Sequence, residues 1–520
     1  MTTLARYAII EPYLDGNGHE GHCIYALGEA PEFVDEGDRD ASCIADEKDW
    51  AAIAAVDNRR MWQLPDKPDI KEPTDLKLIH DSICRYIRTY VWIRDTRAYD
   101  FLASWAILTY MKEDYRFMPL LLLDGATASG KSTLLEILES ISYHGCIVAS
   151  CSAPSIVRAV KWTSATVIID EGLDTLTSDG RGTDVVNALK SVTSPSMRYM
   201  RAKYGTADDF TAECLYTCLA MSIKGANLAE DIINRGVRIQ MLARPGGEQY
   251  HDYEDYDHNH GESYDPEDDE FMNVRQIRTA LYAMRIRRQT LGPDKWREYN
   301  AVDLRPQIEY VAKALREKDK WGRPAYIQKF DMDYPEHCPV ISNRLGDIVR
   351  TIIPVTLMTK TSADVMAMLI DADKDAKEAG RTSIEGETLC AMNDVILERI
   401  GGDDILRAMS ISRESLGRII DTITTRDIAQ RLNDNLHDSG DLQPSQMLPT
   451  RDVTAHLKAL GIPYQMGAAG GRQSPIGPIN ISFWNLYLSC LTRYDPTQKE
   501  LIEIVSEADG QNQSTKNVVD

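Results

Sequence analysis

The sequence lacks several features that would fix a class of protein at once. Its ten cysteines contain no CxxC pair, so neither a zinc ribbon nor a disulfide ladder is indicated and reduced thiols in the cytoplasm are expected. The longest apolar runs, near residues 101–111 and 118–123, fall short of the roughly 20 residues of a membrane-spanning helix. The first residues, MTTLARYAIIEPYLDG, lack the apolar core and cleavage site of a secretory signal. We expect a soluble, cytoplasmic protein without a membrane partner.

Basic residues are in deficit as well, because 58 Lys and Arg stand against 80 Asp and Glu, a formal net charge of −22. This balance argues against a histone-like protein that binds DNA through overall charge, but it leaves room for local basic patches. Residues 245–274 hold eleven acids and no lysine or arginine, and we expect a solvated, disordered insertion there. A metal site on His251, His258 and His260 is the alternative.

The domain organisation follows from the length of 520 residues and from shifts in pattern. In residues 119–244 apolar strands alternate with amphipathic helices, which predicts an α/β core with a mostly parallel sheet covered by helices. Residues 371–387 are interpreted as a linker. The predicted segments are an N-terminal region of unknown role (1–75), a helical segment (76–118), the α/β core (119–244), the acidic insertion (245–272), a helical region (273–371), a C-terminal domain (385–495) and a polar tail (496–520).

The N-terminal region offers one further pattern, HEGHC, with His19, His22 and Cys23. These residues could form half of a zinc site. No second ligand pair follows at a suitable spacing, so the pattern alone does not establish a metal site.

The stretch GATASGKS, residues 125–132, fits the phosphate-binding pattern G-x-x-x-x-G-K-[ST]. An apolar strand precedes this phosphate loop and a helix follows it, so loop N–H groups and the positive end of the helix can surround an anion. Lys131 is expected to neutralise the β- and γ-phosphates of ATP, and Ser132 to bind Mg²⁺. The expected nucleotide-binding residues are Gly125, Ala126, Thr127, Ala128, Ser129, Gly130, Lys131, Ser132 and Thr133.

A second acidic motif, TVIIDE at residues 166–171, is an apolar strand that ends in two acids. Asp170 is expected to join the Mg²⁺ shell, and Glu171 to orient and polarise the water that attacks the γ-phosphate. In isolation the motif would indicate a buried strand with a solvated acid pair at its end. Its position after a phosphate loop favours the catalytic interpretation.

Together with the strand that ends at Ser222 and with AEDIINRGVRIQM at residues 229–241, these motifs resemble those of AAA+ ATPases. More narrowly, the chain is similar to the helicase-like ATPases of phages, plasmids and mobile islands, which are related to MCM-type and superfamily 3 helicases. The resemblance covers about residues 76–495. It implies an AAA+ P-loop fold with a helical lid over 273–371 and a C-terminal winged helix, the cofactors ATP and Mg²⁺, and a homo-oligomeric ring of six subunits.

The resemblance also implies roles for three residues. Ser222 corresponds to the sensor 1 residue that positions the attacking water; many AAA+ proteins have asparagine there, so Asn227 is the alternative. Arg235 matches the arginine finger that reaches the γ-phosphate of a neighbouring subunit; the alternative is a surface arginine in a turn. Arg344 matches the sensor 2 arginine at the start of a lid helix; the alternative is an ordinary residue at a helix start.

Residues 197–216, MRYMRAKYGTADDFTAECLY, are interpreted as two short strands joined by a turn around 204–207. In the related helicases a hairpin at this place grips single-stranded DNA in a central channel, and a purely structural hairpin is the alternative. The expected DNA contacts in this hairpin are Arg198, Arg201, Lys203 and Tyr204, which supply phosphate-binding charge and a stacking ring.

Residues 449–488 resemble a winged-helix module. Thr450 is expected to cap a helix with an apolar face of Val453, Leu457 and Leu460, which Gly461 ends. The expected phosphate contacts are Arg451, Lys458 and Arg472. Winged helices also bind proteins, so that role remains open.

The function that these expectations favour is an ATP-hydrolysing DNA helicase or translocase that replicates a mobile or viral genome. One alternative is a replication initiator or helicase loader that binds DNA without processive unwinding. Another is a nucleotide-gated signalling or defence ATPase, whose hydrolysis DNA would not stimulate. No primase carboxylate cluster is evident in the sequence, so any primase or initiator would be a separate partner.

Overall fold

A computed structural model describes residues 9–35, 62–149, 152–170, 181–202, 210–223, 230–242, 271–333, 341–381, 384–400, 423–438 and 447–462, apart from single positions within these ranges. The chain divides into two compact units, Met1–Ala372 and Asp373–Asp520. In the described part of the chain, no helix has the combination of length and apolar character that a bilayer crossing requires.

Three antiparallel strands open the first unit: β1 (Ile9–Leu14), β2 (Glu20–Tyr25) and β3 (Glu32–Val34), with β2 in the centre. The carboxylate of Asp15 accepts the N–H groups of Asn17 and His19 at 2.8 and 2.7 Å, which closes the turn between β1 and β2. His22 and Cys23 are consecutive in β2, so their side chains point to opposite faces. The half zinc site suggested by HEGHC is therefore not formed.

Two helices follow, α1 (Leu76–Tyr90) and α2 (Arg97–Thr109), as the sequence predicts. Asp75 begins α1, because its carboxylate accepts the N–H of Leu78 at 3.0 Å. Trp105 of α2 is fully buried in the largest apolar cluster of the described residues. A short 3-10 turn, Lys112–Asp114, leads from α2 towards the sheet.

A five-stranded parallel sheet flanked by helices forms the centre of this unit, which confirms the predicted α/β architecture. The elements, in chain order, are β4 (Leu120–Gly125), α3 (Lys131–Ile141), β5 (Gly145–Val148), α4 (Ala153–Thr163), β6 (Thr166–Ile169), α5 (Arg181–Val192), the antiparallel pair β7 (Tyr199–Ala202) and β8 (Phe210–Glu213), β9 (Leu219–Ile223), α6 (Glu230–Ile233) and β10 (Gly236–Met241). The order of the strands in the five-stranded sheet is β10-β4-β9-β6-β5.

The four leucines of β4 supply both faces of the sheet. Leu121 and Leu123 belong to the apolar cluster shared with α1, α2 and α3, whereas Leu120 and Leu122 belong to the cluster shared with α4 and α5. A strand that is buried on both faces needs a continuous apolar run instead of an alternating one. The LLLL run is therefore explained by the central position of β4.

The helices that follow the sheet are α7 (Val274–Leu291), α8 (Arg305–Ala314), α9 (Ala325–Lys329), α10 (Asn343–Thr359) and α11 (Ser362–Arg381). The first four lie in the first unit, and α11 extends past its last residue, Ala372. The boundary between the two units falls within the predicted linker at residues 371–387, but much of this segment is helical. Helix α11 runs to Arg381 and α12 (Ile384–Ile400) follows closely. The stretch DADKDAKEA holds three alanines, two lysines and one glutamate, which favour helix, beside three aspartates, and its charges had masked this preference.

In the second unit, α12, α13 (Thr425–Asp438) and α14 (Thr450–Ala459) pack together. Val453, Leu457 and Leu460 are buried as expected. The capping role expected for Thr450 is wrong, because Pro449 occupies the N-cap and Thr450 is the first helical residue. Proline restrains φ and suits a helix start without a side-chain cap. Gly461 and the expected wing lie outside the described residues.

Candidate nucleotide-binding site

The phosphate loop joins β4 to α3 and needs glycine at two positions. A Cβ on Gly125 would lie 2.1 Å from the carbonyl oxygen of Met241, the last residue of β10. Gly130 is the N-cap of α3 and has φ of 84°, in the left-handed region that glycine tolerates best. Steric contact and backbone conformation thus account for both glycines of the pattern.

The ammonium of Lys131 lies inside this loop. It donates to the carbonyl oxygens of Gly125 and Ala126 at 2.6 and 2.7 Å and approaches the Ser129 hydroxyl at 3.4 Å. Lys131 is buried, whereas Ala126 and Ser132 at the rim of the loop are exposed. The loop therefore positions one positive charge behind an accessible edge.

The start of α3 adds backbone donors to this charge. The first hydrogen bond at the start of α3 runs from the N–H of Leu134 to Gly130 O at 3.0 Å. The N–H groups of Lys131, Ser132 and Thr133 are consequently not used by the helix. One ammonium, three amides and a hydroxyl around one turn are the donors that suit the phosphates of a nucleotide. Thr127 lies outside the described residues.

A second polar pair lies at the same edge of the sheet. The Ser222 hydroxyl donates to Oδ1 of Asp170 at 2.8 Å. Asp170 directly follows β6, and its N–H donates to Val148 O at 2.9 Å. Strand β9 lies between β4 and β6, so Ser222 separates the loop strand from the acidic strand.

The alternation of side chains assigns this pair to one face. Ala220 and Ile168, two residues before Ser222 and Asp170, belong to the cluster that includes α3. Residues two apart in a strand share a face. The phosphate loop, Ser222 and Asp170 therefore lie at the carboxyl edge of the sheet on the side of α3, where ligands of parallel α/β sheets bind. Glu171 lies outside the described residues.

Arg235 lies at the opposite edge. Its carbonyl oxygen accepts the N–H of Leu120, the first residue of β4, at 3.0 Å. The phosphate loop begins at the last residue of that strand, about 17 Å away at 3.3 Å per residue. The guanidinium contacts Thr193 Oγ1 at 3.4 Å and Met197 Sδ at 3.8 Å. The structure does not bring Arg235 to the loop of its own chain.

The remaining predicted residues are dispersed. Arg344 is exposed in the first turn of α10, and Arg198 is exposed before β7 with its guanidinium on Pro195 O at 2.5 Å. Strands β7 and β8 form the expected antiparallel pair, with Arg201 in β7. Lys203, Tyr204, Asn227 and Arg472 lie outside the described residues. Arg451, 3.3 Å from Asp452, and Lys458 are exposed on α14.

An ion pair beside the phosphate loop was not predicted from the sequence. Asp124, buried at the end of β4, pairs with Arg238 of β10. A signal was present, because a carboxylate that ends a wholly apolar strand needs a partner when it is buried. The partner lies on the neighbouring strand, however, and the sequence does not state which strands are neighbours.

Comparisons with known proteins add little to this geometry. No protein-family model and no curated protein matches the chain. Among solved structures, the NrS-1 C-terminal region has a TM-score of 0.30 and 9% identity, covering 91% of this chain and 97% of that chain. A second structure of that region has a TM-score of 0.27 and 8% identity, covering 91% and 96%. Likeness at this level carries no argument about function.

Proposed function

We propose that this chain hydrolyses ATP at an AAA+ type of site. The observation that carries the proposal is the hydrogen bond from Ser222 to Asp170, at the same edge and on the same face as the loop that holds Lys131. A phosphate loop alone supports nucleotide binding. An acid held by a polar residue of the intervening strand supports hydrolysis, because it places a fixed carboxylate near the phosphates.

Each residue of the proposed site has a separate role. Lys131 and the amides at the start of α3 hold the phosphates, and Ser132 with Asp170 would hold Mg²⁺, which offsets phosphate charge when bound. Ser222 fixes the rotamer of Asp170. Glu171, the next residue along the chain, orients the attacking water and accepts its proton.

Arg235 supports a homo-oligomer. Because it lies at the edge of the sheet opposite the loop of its own chain, its guanidinium can stabilise the γ-phosphate only in a neighbouring subunit. A closed ring gives every subunit such a neighbour, and we propose six subunits on the resemblance to AAA+ helicases.

We propose that the antiparallel pair of β7 and β8 contacts DNA. The side chain of Arg235 contacts Met197, two residues before β7, at 3.8 Å, and Thr193 at the end of α5. A change at the neighbour's phosphate would therefore reach the base of the hairpin directly. This contact favours a helicase or translocase, in which hydrolysis moves the DNA contacts, over a DNA-binding switch.

The test is Glu171→Gln in the full chain. We expect Mg·ATP binding to persist while turnover falls by about 10² or more, because only the general base is lost. Glu136→Gln, at an exposed acid of α3, is the matched control and should retain the wild-type rate. Wild-type turnover in Glu171→Gln would disprove the catalytic assignment.

Helicase action is tested separately. The wild-type ring should hydrolyse ATP faster with single-stranded DNA and displace a strand from forked DNA. Stimulation without displacement would favour the initiator or loader, and hydrolysis indifferent to DNA would favour the signalling ATPase.

A further inference from the structure

Three side chains with metal-binding atoms meet between α1 and α2. His80 and Cys84 are four residues apart in α1, so they share one face of the helix. Asp100 lies in the first turn of α2. One ligand atom from each residue lies within 4.8 Å of the others, and both His80 Nε2 (3.8 Å) and Cys84 Sγ (3.7 Å) lie near Asp100 Oδ1.

We propose that His80, Cys84 and Asp100 bind a divalent transition metal, for which Zn²⁺ is the best fit. A nitrogen, a sulfur and an oxygen donor are all common zinc ligands. With Zn–N and Zn–O near 2.1 Å and Zn–S near 2.3 Å, tetrahedral ligand atoms lie about 3.4–3.6 Å apart. The two distances to Asp100 Oδ1, 3.7 and 3.8 Å, differ from that by only a few tenths of an ångström. Cys84 Sγ lies 3.9 Å from Nδ1, the other ring nitrogen of His80.

The surroundings of His80 suit a metal ligand. Its Nδ1 lies 3.3 Å from Oδ1 of Asp81, whose Oδ2 accepts Lys77 Nζ at 2.6 Å. A carboxylate on one ring nitrogen fixes the tautomer and leaves the other nitrogen for the metal. Here that other nitrogen is Nε2, on the side of Asp100. Lys77 balances the charge of Asp81, so no extra charge has to be buried.

The charge of the cluster agrees with a divalent ion. His80 is fully buried and Cys84 is 7% exposed. A thiolate, a carboxylate and a neutral imidazole carry two negative charges, which one M²⁺ neutralises with release of protons. The metal-free alternative is a hydrogen bond from Nε2 to Asp100 O, which are 3.2 Å apart.

A metal here would fix the segment that contacts the phosphate loop. Tyr99 of α2 holds the connection between the two helices, because its hydroxyl accepts the N–H of Ile93 and donates to Val91 O, both at 2.9 Å. A Cβ on Gly130 would lie 3.7 Å from Val91 Cγ1. The connection between α1 and α2 therefore lies next to Gly130 of the phosphate loop. This consequence rests on the proposed function, whereas metal binding itself does not.

The experiment measures metal in the full chain without reference to hydrolysis. Protein purified without chelators should contain about one zinc per chain, and replacement by Co²⁺ should give a thiolate-to-metal charge-transfer absorption. Cys84→Ser should lose that absorption and His80→Gln should lose the metal. Cys146→Ser, at a buried cysteine of β5, is the matched control and should keep both.

A milder substitution tests metal binding even if the ligand variants fail to fold. Asp81→Asn keeps all three ligands and should weaken Zn²⁺ binding by about 10- to 100-fold in competition with a chromophoric chelator. A metal-free wild type that takes up neither Zn²⁺ nor Co²⁺ would overturn the proposal, as would a cobalt spectrum that Cys84→Ser leaves unchanged. Both outcomes are independent of whether the chain hydrolyses ATP.

Discussion

The phosphate loop and helix α7 both bury basic side chains, yet they use them in opposite ways. Lys131 donates to neutral oxygens of its own loop, beside an exposed rim. Arg285 of α7 binds both carboxylate oxygens of Glu113 at 3.0 Å, and Arg288 pairs with Asp114. A cation held by neutral groups at an open edge remains available for an anionic ligand, whereas one that pairs with carboxylates of its own chain stabilises the fold.

Helix α7 thereby attaches the N-terminal region to the α/β core. Arg285 lies 3.7 Å from Glu11 of β1 and 4.2 Å above the ring of Tyr143, which follows α3. Arg275 pairs with Asp66, and Arg278 donates to Leu64 O at 2.7 Å. Partial desolvation opposes ionisation of Glu113, but Arg285 holds its pKa below the ordinary value. The most basic of the described helices thus connects parts of the fold.

The sharpest test of this contrast is Lys131→Ala. We expect ATP binding to weaken and hydrolysis to fall by about 10³-fold or more, because a fixed charge on the phosphates is lost. The free energy of unfolding should change by no more than about 1 kcal/mol, the value of ordinary hydrogen bonds. Both are measured on the full chain, with the exposed Lys161→Ala as control. A large loss of stability would place Lys131 with the structural arginines.

The opposite pattern is expected for Arg285→Ala. The substitution removes a cationic partner from the buried carboxylate of Glu11 and breaks the ion pair with the partly exposed Glu113, and it should cost about 3 kcal/mol in denaturant unfolding. The rate of ATP hydrolysis per folded molecule should stay within about twofold of the wild-type rate, since Arg285 is not part of the phosphate loop. Arg287→Ala is the matched control on the same helix. Its guanidinium donates to backbone oxygens, Lys71 O among them, and the substitution should cost about 1 kcal/mol.

The sheet and the phosphate loop were predictable because their determinants are local. The run LLLLDG predicts a buried strand, and GATASGKS predicts the loop that follows it, from neighbouring residues alone. The two helices at 76–111 follow from apolar residues at helical spacing. For the same reason the hydrogen bond between Ser222 and Asp170 could only be expected through resemblance, since it depends on β9 lying between β4 and β6.

The N-terminal sheet and the role of α7 were not predictable, because their determinants are distant in sequence. Glu11 contacts residues 143, 144 and 285, and nothing in the sequence near residue 11 indicates those partners. Composition identifies α7 as basic but does not show where the opposing acids lie. The cluster of His80, Cys84 and Asp100 was missed similarly, whereas HEGHC, adjacent in sequence, forms no site because strand geometry separates His22 from Cys23.

The smallest expected effect concerns acid pH and Glu11, which joins the N-terminal sheet to the core. Its carboxylate accepts the Tyr143 hydroxyl at 2.6 Å, lies 3.0 Å from His144 Nε2, and also faces Tyr25 and Arg285. Burial opposes its ionisation, but His144, Arg285 and Tyr143 together hold its pKa below the ordinary value of 4.5. At neutral pH, Glu11→Gln should therefore cost about 1.5–3 kcal/mol, the range for hydrogen bonds to a charged group.

The stabilisation by Glu11 should depend on pH. A carboxyl whose pKa is lower in the folded state stabilises the fold above its unfolded pKa of 4.5, and this contribution is lost as pH falls through the folded pKa. The difference in unfolding free energy between wild type and Glu11→Gln should hence shrink as the pH falls below about 4.5. Taking the difference cancels the acids that do not contact Glu11. If it stayed constant to pH 3, Glu11 would not be the charged partner of α7, and the contrast between α7 and the phosphate loop would rest on Glu113 and Asp114 alone.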